Sequence, residues 1–269
     1  MKTLPRSLCL LSLLLVLGGC GRIESRSQER TAGVTVTREW PAAGIRELRV
    51  TEVDGSITIA AAETDKISLV ASGRGRLNVR QGAENSGIFE TELDGDTLRI
   101  GRRDSSRRKS WDIPNLFGRR RGRIDYVLQV PPSVSLSVRT VNGKIVTKGS
   151  DSESDFVTVN GSIDTQISGN HELRATTVNG RVLATFSESF QGARFKTVNG
   201  RVRAVLPESA SFTVNLSQVN GDFEASFPLS IRSSPGSRRV SGDVNGGNHE
   251  LRIVTVNGNV ELARLTDSR

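Results

Sequence analysis

Val-Asn-Gly recurs in phase at 141–143, 159–161, 178–180, 198–200, 219–221 and 256–258. Successive copies stand 18, 19, 20, 21 and 37 residues apart. A period drifting around 20 demands one supersecondary unit used many times over, and nothing else in the chain constrains the fold as strongly. The last gap is close to two periods, and Val240-Ser241-Gly242 divides it as a degenerate copy. Val53-Asp54-Gly55 is an earlier degenerate copy, whereas Val244-Asn245-Gly246 falls out of phase and reads as loop. Gly169–Arg174 and Gly247–Arg252 share the hexapeptide Gly-Asn-His-Glu-Leu-Arg, so a block is duplicated.

Around each Asn-Gly, apolar residues or Thr alternate with polar ones. Phe195 and Thr197 precede one turn and Val202, Ala204 and Leu206 follow it; Phe212, Val214 and Leu216 precede the next, with Phe223, Ala225 and Phe227 after it. Period-two alternation over short runs predicts strands with one buried face. The pairs Asn142-Gly143, Asn160-Gly161, Asn179-Gly180, Asn199-Gly200, Asn220-Gly221 and Asn257-Gly258 are then structural turns, with Gly supplying positive φ. Near-identical turns at one period favour an all-β solenoid, single-stranded and β-helix-like, over a meander of hairpins. Its stacked asparagines form a hydrogen-bonded ladder. A rung of about 20 residues holds two or three strands around a narrow core, which fits a chain with only 4% aromatic residues. Residues 131–269 carry the clear repeats, and the charged end of 260–269 forms the tip of the last rung. Residues 34–130 alternate more weakly (Leu48, Val50, Ile57, Ile59, Ile67, Leu69, Ala71, Leu98, Ile100, Ile124, Tyr126, Leu128, Val130) and read as an N-terminal β cap region.

Residues 1–19 read as an export signal, with Lys2 and Arg6 before the apolar run Leu8–Leu17. The sequence Leu17-Gly18-Gly19-Cys20 resembles the bacterial lipobox. That resemblance implies cleavage before Cys20, which would carry a diacylglyceryl thioether and an N-acyl chain; multiple chains anchor firmly where one does not. The expected address is the bacterial cell envelope. Gly21 after the cysteine favours the outer membrane in a Gram-negative host. Residues 20–33 hold the lipidated Cys and a polar tether.

The formal charge is +8, and without Lys2 and Arg6 it is +6, from 35 Lys+Arg against 29 Asp+Glu. Nine Lys+Arg and two Asp, net +7, fall in loop 102–123, so the remainder is near-neutral. The cations are Arg102, Arg103, Arg107, Arg108, Lys109, Arg119, Arg120, Arg121 and Arg123, and Trp111 and Phe117 sit among them with Ile113 and Leu116 around Pro114. Basic flanks around an aromatic centre suit an anionic envelope partner: lipid, lipopolysaccharide or acidic glycan. A solvated insertion without a partner is the other reading. Nucleic acid is set aside, because export removes the chain from most of it and no basic helix accompanies the charge.

Catalytic equipment is sparse. Cys9 and Cys20 are the only cysteines, and His171 and His249 the only histidines. The histidines belong to the duplicated hexapeptide and, with rungs in chain order, fall about four rungs apart, too far to share a metal. No metal, cofactor or catalytic residue is expected. Asp151, Glu153 and Asp155 read as one solubilising loop, and Gly73-Arg74-Gly75 lacks the context of a phosphate loop. A non-catalytic envelope scaffold or adhesin is the leading reading, with an unidentified protein partner also open. A glycan-active solenoid lyase or hydrolase and an envelope-stress sensor lipoprotein are the alternatives.

The runs Ile45-Arg46-Glu47-Leu48-Arg49-Val50, Val53-Asp54-Gly55-Ser56-Ile57-Thr58-Ile59 and Leu128-Gln129-Val130-Pro131, leading into the Val-Asn-Gly repeats, resemble the bacterial β-strand-repeat adhesin-labelled domain of unknown function, the toastrack domain. The resemblance covers most of 34–265 and implies a β-solenoid-like fold with an envelope or surface role. It brings no catalytic residues, and the basic loop is a departure from its pattern.

Overall fold

The computed structural model describes residues 33–74, 88–102, 122–232 and 239–265. All regular structure in them is β. In chain order, β1 (Val34–Pro41) is followed by β2 (Glu47–Thr51) and β3 (Ile57–Ala61), then β4 (Lys66–Arg74), β5 (Phe89–Asp94), β6 (Thr97–Arg102) and β7 (Arg123–Val130). Next come β8 (Ser135–Arg139), β9 (Ile145–Ser150), β10 (Ser154–Val157), β11 (Ile163–Ile167), β12 (Leu173–Thr176), β13 (Val182–Phe186), β14 (Ala193–Asn199) and β15 (Val202–Leu206). The chain ends through β16 (Phe212–Asn220), β17 (Phe223–Ala225), β18 (Ser230–Arg232), β19 (Arg239–Val244), β20 (His249–Asn257) and β21 (Val260–Arg264).

These strands form a 10-stranded sheet, β1-β4-β7-β3-β9-β11-β13-β15-β21-β17, and an 11-stranded sheet, β18-β19-β16-β20-β14-β12-β10-β8-β2-β6-β5. Each repeat gives one strand to each sheet, and corresponding strands of successive repeats pair in parallel. The inward positions of both sheets make one core. Every inward residue that alternation predicts between Leu48 and Val130 is at most 1% exposed. Phe190 joins Phe186 and Phe212 edge-to-face at 5.0 and 5.5 Å, filling the core near the C-terminal rungs.

Val-Asn-Gly forms the corner where the chain leaves the 11-stranded sheet for the other. The corner is itself part of the ladder: the Asn160 N–H donates to the Val141 carbonyl, and the Gly161 N–H to the Asn179 carbonyl. The asparagine side chains continue it. Nδ2 of Asn160, Asn179, Asn199, Asn257 and Asn220 donates to Oδ1 of Asn142, Asn160, Asn179, Asn199 and Asn257 at 2.8–3.0 Å. Asn142 Nδ2 closes the series on Asp54 Oδ1 at 2.8 Å. Since a carboxylate only accepts, Asp54 fixes the direction of every amide behind it.

Glycine is needed at the corner for a reason other than turn geometry. Among the corner glycines only Gly221 has positive φ, at 126°. At Gly143, Gly161, Gly180, Gly200 and Gly258 a Cβ would instead stand 1.7–1.9 Å from the carbonyl oxygen of the glycine one rung below. Close backbone approach, not positive φ, therefore excludes every other residue. The buried threonines before three of the Val residues support the same carbonyls: Oγ1 of Thr140, Thr158 and Thr177 donates to the Gly55, Gly143 and Gly161 oxygens at 3.5, 3.2 and 3.1 Å, whereas Oγ1 of Thr197 and Thr255 is buried without a hydrogen-bond partner.

Rung order departs from chain order at both ends. β20 and β21 enter between the β14/β15 and β16/β17 rungs, so the last repeat in sequence is the penultimate rung in space. The 260–264 segment is thus an interior strand rather than the tip of the stack. At the other end the β2/β3 rung lies inside the β6/β7 rung. Val240-Ser241-Gly242 is no corner either: it lies within β19, antiparallel to β16, with Val240 opposite Leu216 and Gly242 opposite Val214. Val244-Asn245-Gly246 is a turn, as its phase predicts, with Asn245 φ at 46° and Gly246 φ at 96°. Beyond the parallel rungs lie antiparallel strands, β4 and β1 on β7, β5 on β6, and β19 and β18 on β16.

Gly180→Ala is expected to cost about 4 kcal/mol or more, or to prevent folding, because its Cβ meets fixed backbone. Gly95→Ala, with φ at +62° and nothing within 4 Å of the new Cβ, is expected to cost about 1–2 kcal/mol from local strain alone. Urea unfolding of the two variants, followed by circular dichroism, checks the contrast.

Candidate functional site

The basic loop replaces a corner. Thr51 pairs with Gly101 and Ile57 with Tyr126, so Glu52 stands opposite Arg102 and Gly55 opposite Ile124. Where the neighbouring rung carries Glu52-Val53-Asp54-Gly55, this rung leaves β6 at Arg102 and re-enters at Gly122, with 103–121 between. The insertion therefore arises at the N-terminal end of the asparagine and glycine columns.

Its neck is held by a buried polar cluster. Glu52, 1% exposed, takes the position that Thr occupies in the interior rungs. Arg102 Nη2 lies 2.8 Å from Glu52 Oε1, with side-chain exposures of 8% and 0%. The same guanidinium donates to the Gly122 carbonyl, joining the two ends of the insertion. Tyr126 donates its hydroxyl to Glu52 Oε2 at 3.0 Å, and the Asp54 N–H donates to Oε1 at 3.2 Å. Burial pushes the Glu52 carboxyl above the usual carboxylate range, against the opposing pull of Arg102, two backbone N–H groups and Tyr126. Burial and then the Glu52 charge push Tyr126 well up. On the far side of the neck Arg123 pairs with Asp125 at 2.9 Å, and Asp125 accepts from the Ser56 N–H and hydroxyl. Burial would raise Asp125, but its bonds to Arg123 and Ser56 prevail and bring it to about 2.

Of the residues expected to meet an anionic partner, Arg102 belongs to this internal clasp and Arg123 pairs with Asp125 beside it. The other expected residues of that patch, from Arg103 to Arg121 and including Trp111 and Phe117, lie outside the described residues, as does Cys20. Sequence reasoning missed Glu52, the counter-ion. Its signal was visible in the replacement of Thr by Glu before an otherwise recognisable corner.

The duplicated block also falls differently from expectation. With rung order exchanged, β12 and β20 flank β14, so His171, just before β12, and His249, at the start of β20, are two rungs apart rather than four. Their glutamates both reach the strand between: Arg194 lies 2.8 Å from Glu172 and 3.6 Å from Glu250. Asp155 is on β10 rather than in a loop with Asp151. Asp151 is lowered chiefly by the Ser168 hydroxyl, then by Asn170. Among the described residues no three His, Cys, Asp or Glu side chains are grouped to hold a metal.

A family model described as Toastrack DUF4097 matches residues 125–263, just over half of the chain. No curated protein matches. Among solved structures, a "putative cell adhesion protein" from Clostridium sporogenes is similar at 12% identity and TM-score 0.49, over 87% of this chain and 100% of its own. A "putative adhesin" from Bacteroides fragilis matches at 12% identity and TM-score 0.40, covering 85% and 97%. A "putative lipid binding protein" from Parabacteroides distasonis matches at 12% and 0.33, covering 85% and 96%.

The clasp makes a directional prediction. Arg102→Met strands a buried carboxylate and is expected to cost roughly 3–5 kcal/mol at pH 7, a cost that shrinks as falling pH protonates Glu52. Adding Glu52→Gln is expected to recover most of it. A denaturation double-mutant cycle at pH 7 and pH 5 measures both effects.

Proposed function

We propose, because this chain belongs to the Toastrack DUF4097 family, that it is a non-catalytic envelope lipoprotein whose β-solenoid is a rigid platform for a cationic insertion. One observation carries this reading: the insertion is rooted at the end of the corner columns and closed at its neck by the buried Glu52–Arg102 pair. A loop serving only as a solvated connection needs no such root, since burying an ion pair is costly unless geometry repays it. The antiparallel strands at each end act as caps on the parallel rungs between them.

In this reading Cys20 carries the acyl chains, the rest of 20–33 is a polar tether, and the basic residues of the loop other than Arg102, with Trp111 and Phe117, approach anionic lipid, lipopolysaccharide or acidic glycan. Arg102 contributes through the clasp rather than by contact. Near an anionic surface each remaining Arg or Lys adds about 1 kcal/mol at low salt, falling off within a Debye length. The outer membrane is the favoured site in a Gram-negative host. Adhesion to a surface or to a partner protein is then a matter of what the platform faces present.

Two measurements test this. Cys20→Ser is expected to move the chain from the membrane fraction to the soluble fraction, and an unchanged distribution excludes lipidation as the anchor. Residues 21–269 are expected to sediment with anionic but not neutral vesicles and to dissociate as salt rises, whereas a form lacking 103–121 stays in solution. If both forms stay in solution, lipid is not the partner of the insertion.

A further inference from the structure

The asparagine ladder has two unlike ends. At one, Asp54 accepts from Asn142 and closes the series. At the other, the exposed Asn220 donates Nδ2 to Asn257 Oδ1 at 2.8 Å, and among the described residues nothing donates to its own Oδ1. Each of the other five ladder asparagines is held at both atoms of its amide, as donor to one neighbour and acceptor from the next.

The backbone after Asn220 is open in the same way. The N–H groups of Gly161, Gly180, Gly200 and Gly258 donate to the asparagine carbonyl one rung further toward the C-terminal end of the stack, at 2.9–3.1 Å. Gly221 has no such rung, because β17 is the edge of its sheet, and its N–H has no partner among the described residues. Gly143 lacks that bond too, but it is enclosed: its Cβ position lies 1.8 Å from the Gly55 carbonyl oxygen, and Asn142 is fixed between Asp54 and Asn160. The seventh Asn-Gly pair, Asn245-Gly246, is pinned by Asn245 Nδ2, which donates to the Glu208 and Ala210 carbonyls at 3.0 Å each. Only Asn220-Gly221 combines a side-chain amide held at one atom with an unbonded glycine N–H.

That combination selects a reaction. A glycine nitrogen can attack the side-chain amide of the asparagine before it, since no Cβ obstructs the approach. The Gly221 nitrogen gives up its proton and bonds to Asn220 Cγ. The Cγ–Nδ2 bond breaks, and the amide nitrogen leaves as ammonia with that proton, closing a five-membered succinimide. Water then opens one of the two imide carbonyls to give aspartate or isoaspartate. One water is consumed, one ammonia is released, and no oxidant or reductant is needed. Ring closure requires Cγ to swing onto the glycine nitrogen, and a side chain held at both atoms of its amide must break two bonds to do so. We infer that Asn220 is a site of spontaneous deamidation in the folded chain, and that the fold itself protects the other six Asn-Gly pairs.

The product alters the ladder as well as the residue. A carboxylate only accepts. With Asp54 at one end and a new carboxylate at the other, five amides lie between two acceptors, and one junction must set oxygen against oxygen. Isoaspartate also adds a carbon to the backbone just before β17, where Phe223 pairs with Val260. Both effects fall on the last rung. The inference is independent of the cationic insertion and of the membrane reading above.

Incubation of the full chain in a non-denaturing detergent at mildly alkaline pH, followed by peptide mass spectrometry, tests this. The expected result is a 1 Da gain and isoaspartate at Asn220, formed at least fivefold faster than at any other Asn-Gly pair. A parallel sample unfolded in urea is expected to convert all seven pairs at rates within about twofold of one another. Asn220→Asp is expected to speed hydrogen exchange at least threefold over 221–226, with β11 and β13 exchanging as in the parent. First conversion at another pair, or conversion at Asn220 no faster than the rest, overturns the inference. The same preference for Asn220 in urea overturns it too, by assigning the reactivity to local sequence, and unchanged exchange in Asn220→Asp overturns the effect on the last rung.

Discussion

The stack depends on how closely successive corners approach. A Cβ at Gly143, Gly161, Gly180, Gly200 or Gly258 would penetrate the carbonyl below it, so those backbones touch with no side chain between. This contact sets the spacing of the corners and forbids slippage. A rung shifted by one residue would place Asn or a β-carbon where only Gly fits, and it would turn every inward side chain outward. The asparagines, and with them Thr140, Thr158 and Thr177, then bond across a distance the glycines have already fixed. Repeat lengths of 18 to 21 residues can vary because extra residues are absorbed at the opposite corner, where among the described residues the close glycine approach occurs at Gly169 on the Ser189 carbonyl rather than in every rung.

Much of this was legible in sequence. Alternation identified the inward residues from Leu48 to Leu216, because a half-buried strand leaves a period-two signature independent of what it pairs with. The asparagine ladder followed from identical residues at one period. The role of glycine did not, since local reasoning assigns Asn-Gly to positive φ, whereas the real constraint lies in another repeat about 20 residues away. Rung order was hidden for a similar reason: periodicity reports that units stack, not which neighbours which. A partial signal existed. The corners that depart from Thr-Val-Asn-Gly, Gln218-Val219-Asn220-Gly221 and Glu52-Val53-Asp54-Gly55, lie at or next to the ends of the stack, while the consensus copy at 255–258 is interior. Gln218 Nε2 reaches the Gly258 carbonyl at 2.8 Å, doing with a longer arm what threonine does elsewhere.

The candidate site was legible by composition but not by structure. Counting charges located the cationic segment, yet counting treats Arg102 as equivalent to Arg103. Burial separates them: Arg102 is withdrawn into the neck because the rung beside it supplies Glu52, and that partner lies 50 residues away in sequence. Likewise the two Gly-Asn-His-Glu-Leu-Arg blocks cooperate through Arg194 only because β14 lies between them. Pairings across non-sequential strands leave no trace in local pattern.

The two acidic departures in the Glu52–Gly55 corner have a common electrostatic cause. Every ladder amide points its Nδ2 toward Asp54, so the positive ends of six aligned dipoles face the N-terminal end of the stack. The next rung in that direction bears the insertion 103–121 with its seven cations. Left unopposed, the amide column and the insertion would repel one another across a single strand spacing of about 4.8 Å. Asp54 lies at the head of the amide column and Glu52 at the head of the threonine column, which places a carboxylate between each column and the basic rung. Restoring the consensus Thr and Asn at 52 and 54 would remove both charges, and with Glu52 the contacts it makes to Arg102, Tyr126 and the Asp54 N–H. The degenerate corner is thus the boundary between a polar stack and a cationic insertion, and its two acids are what allow them to be neighbours.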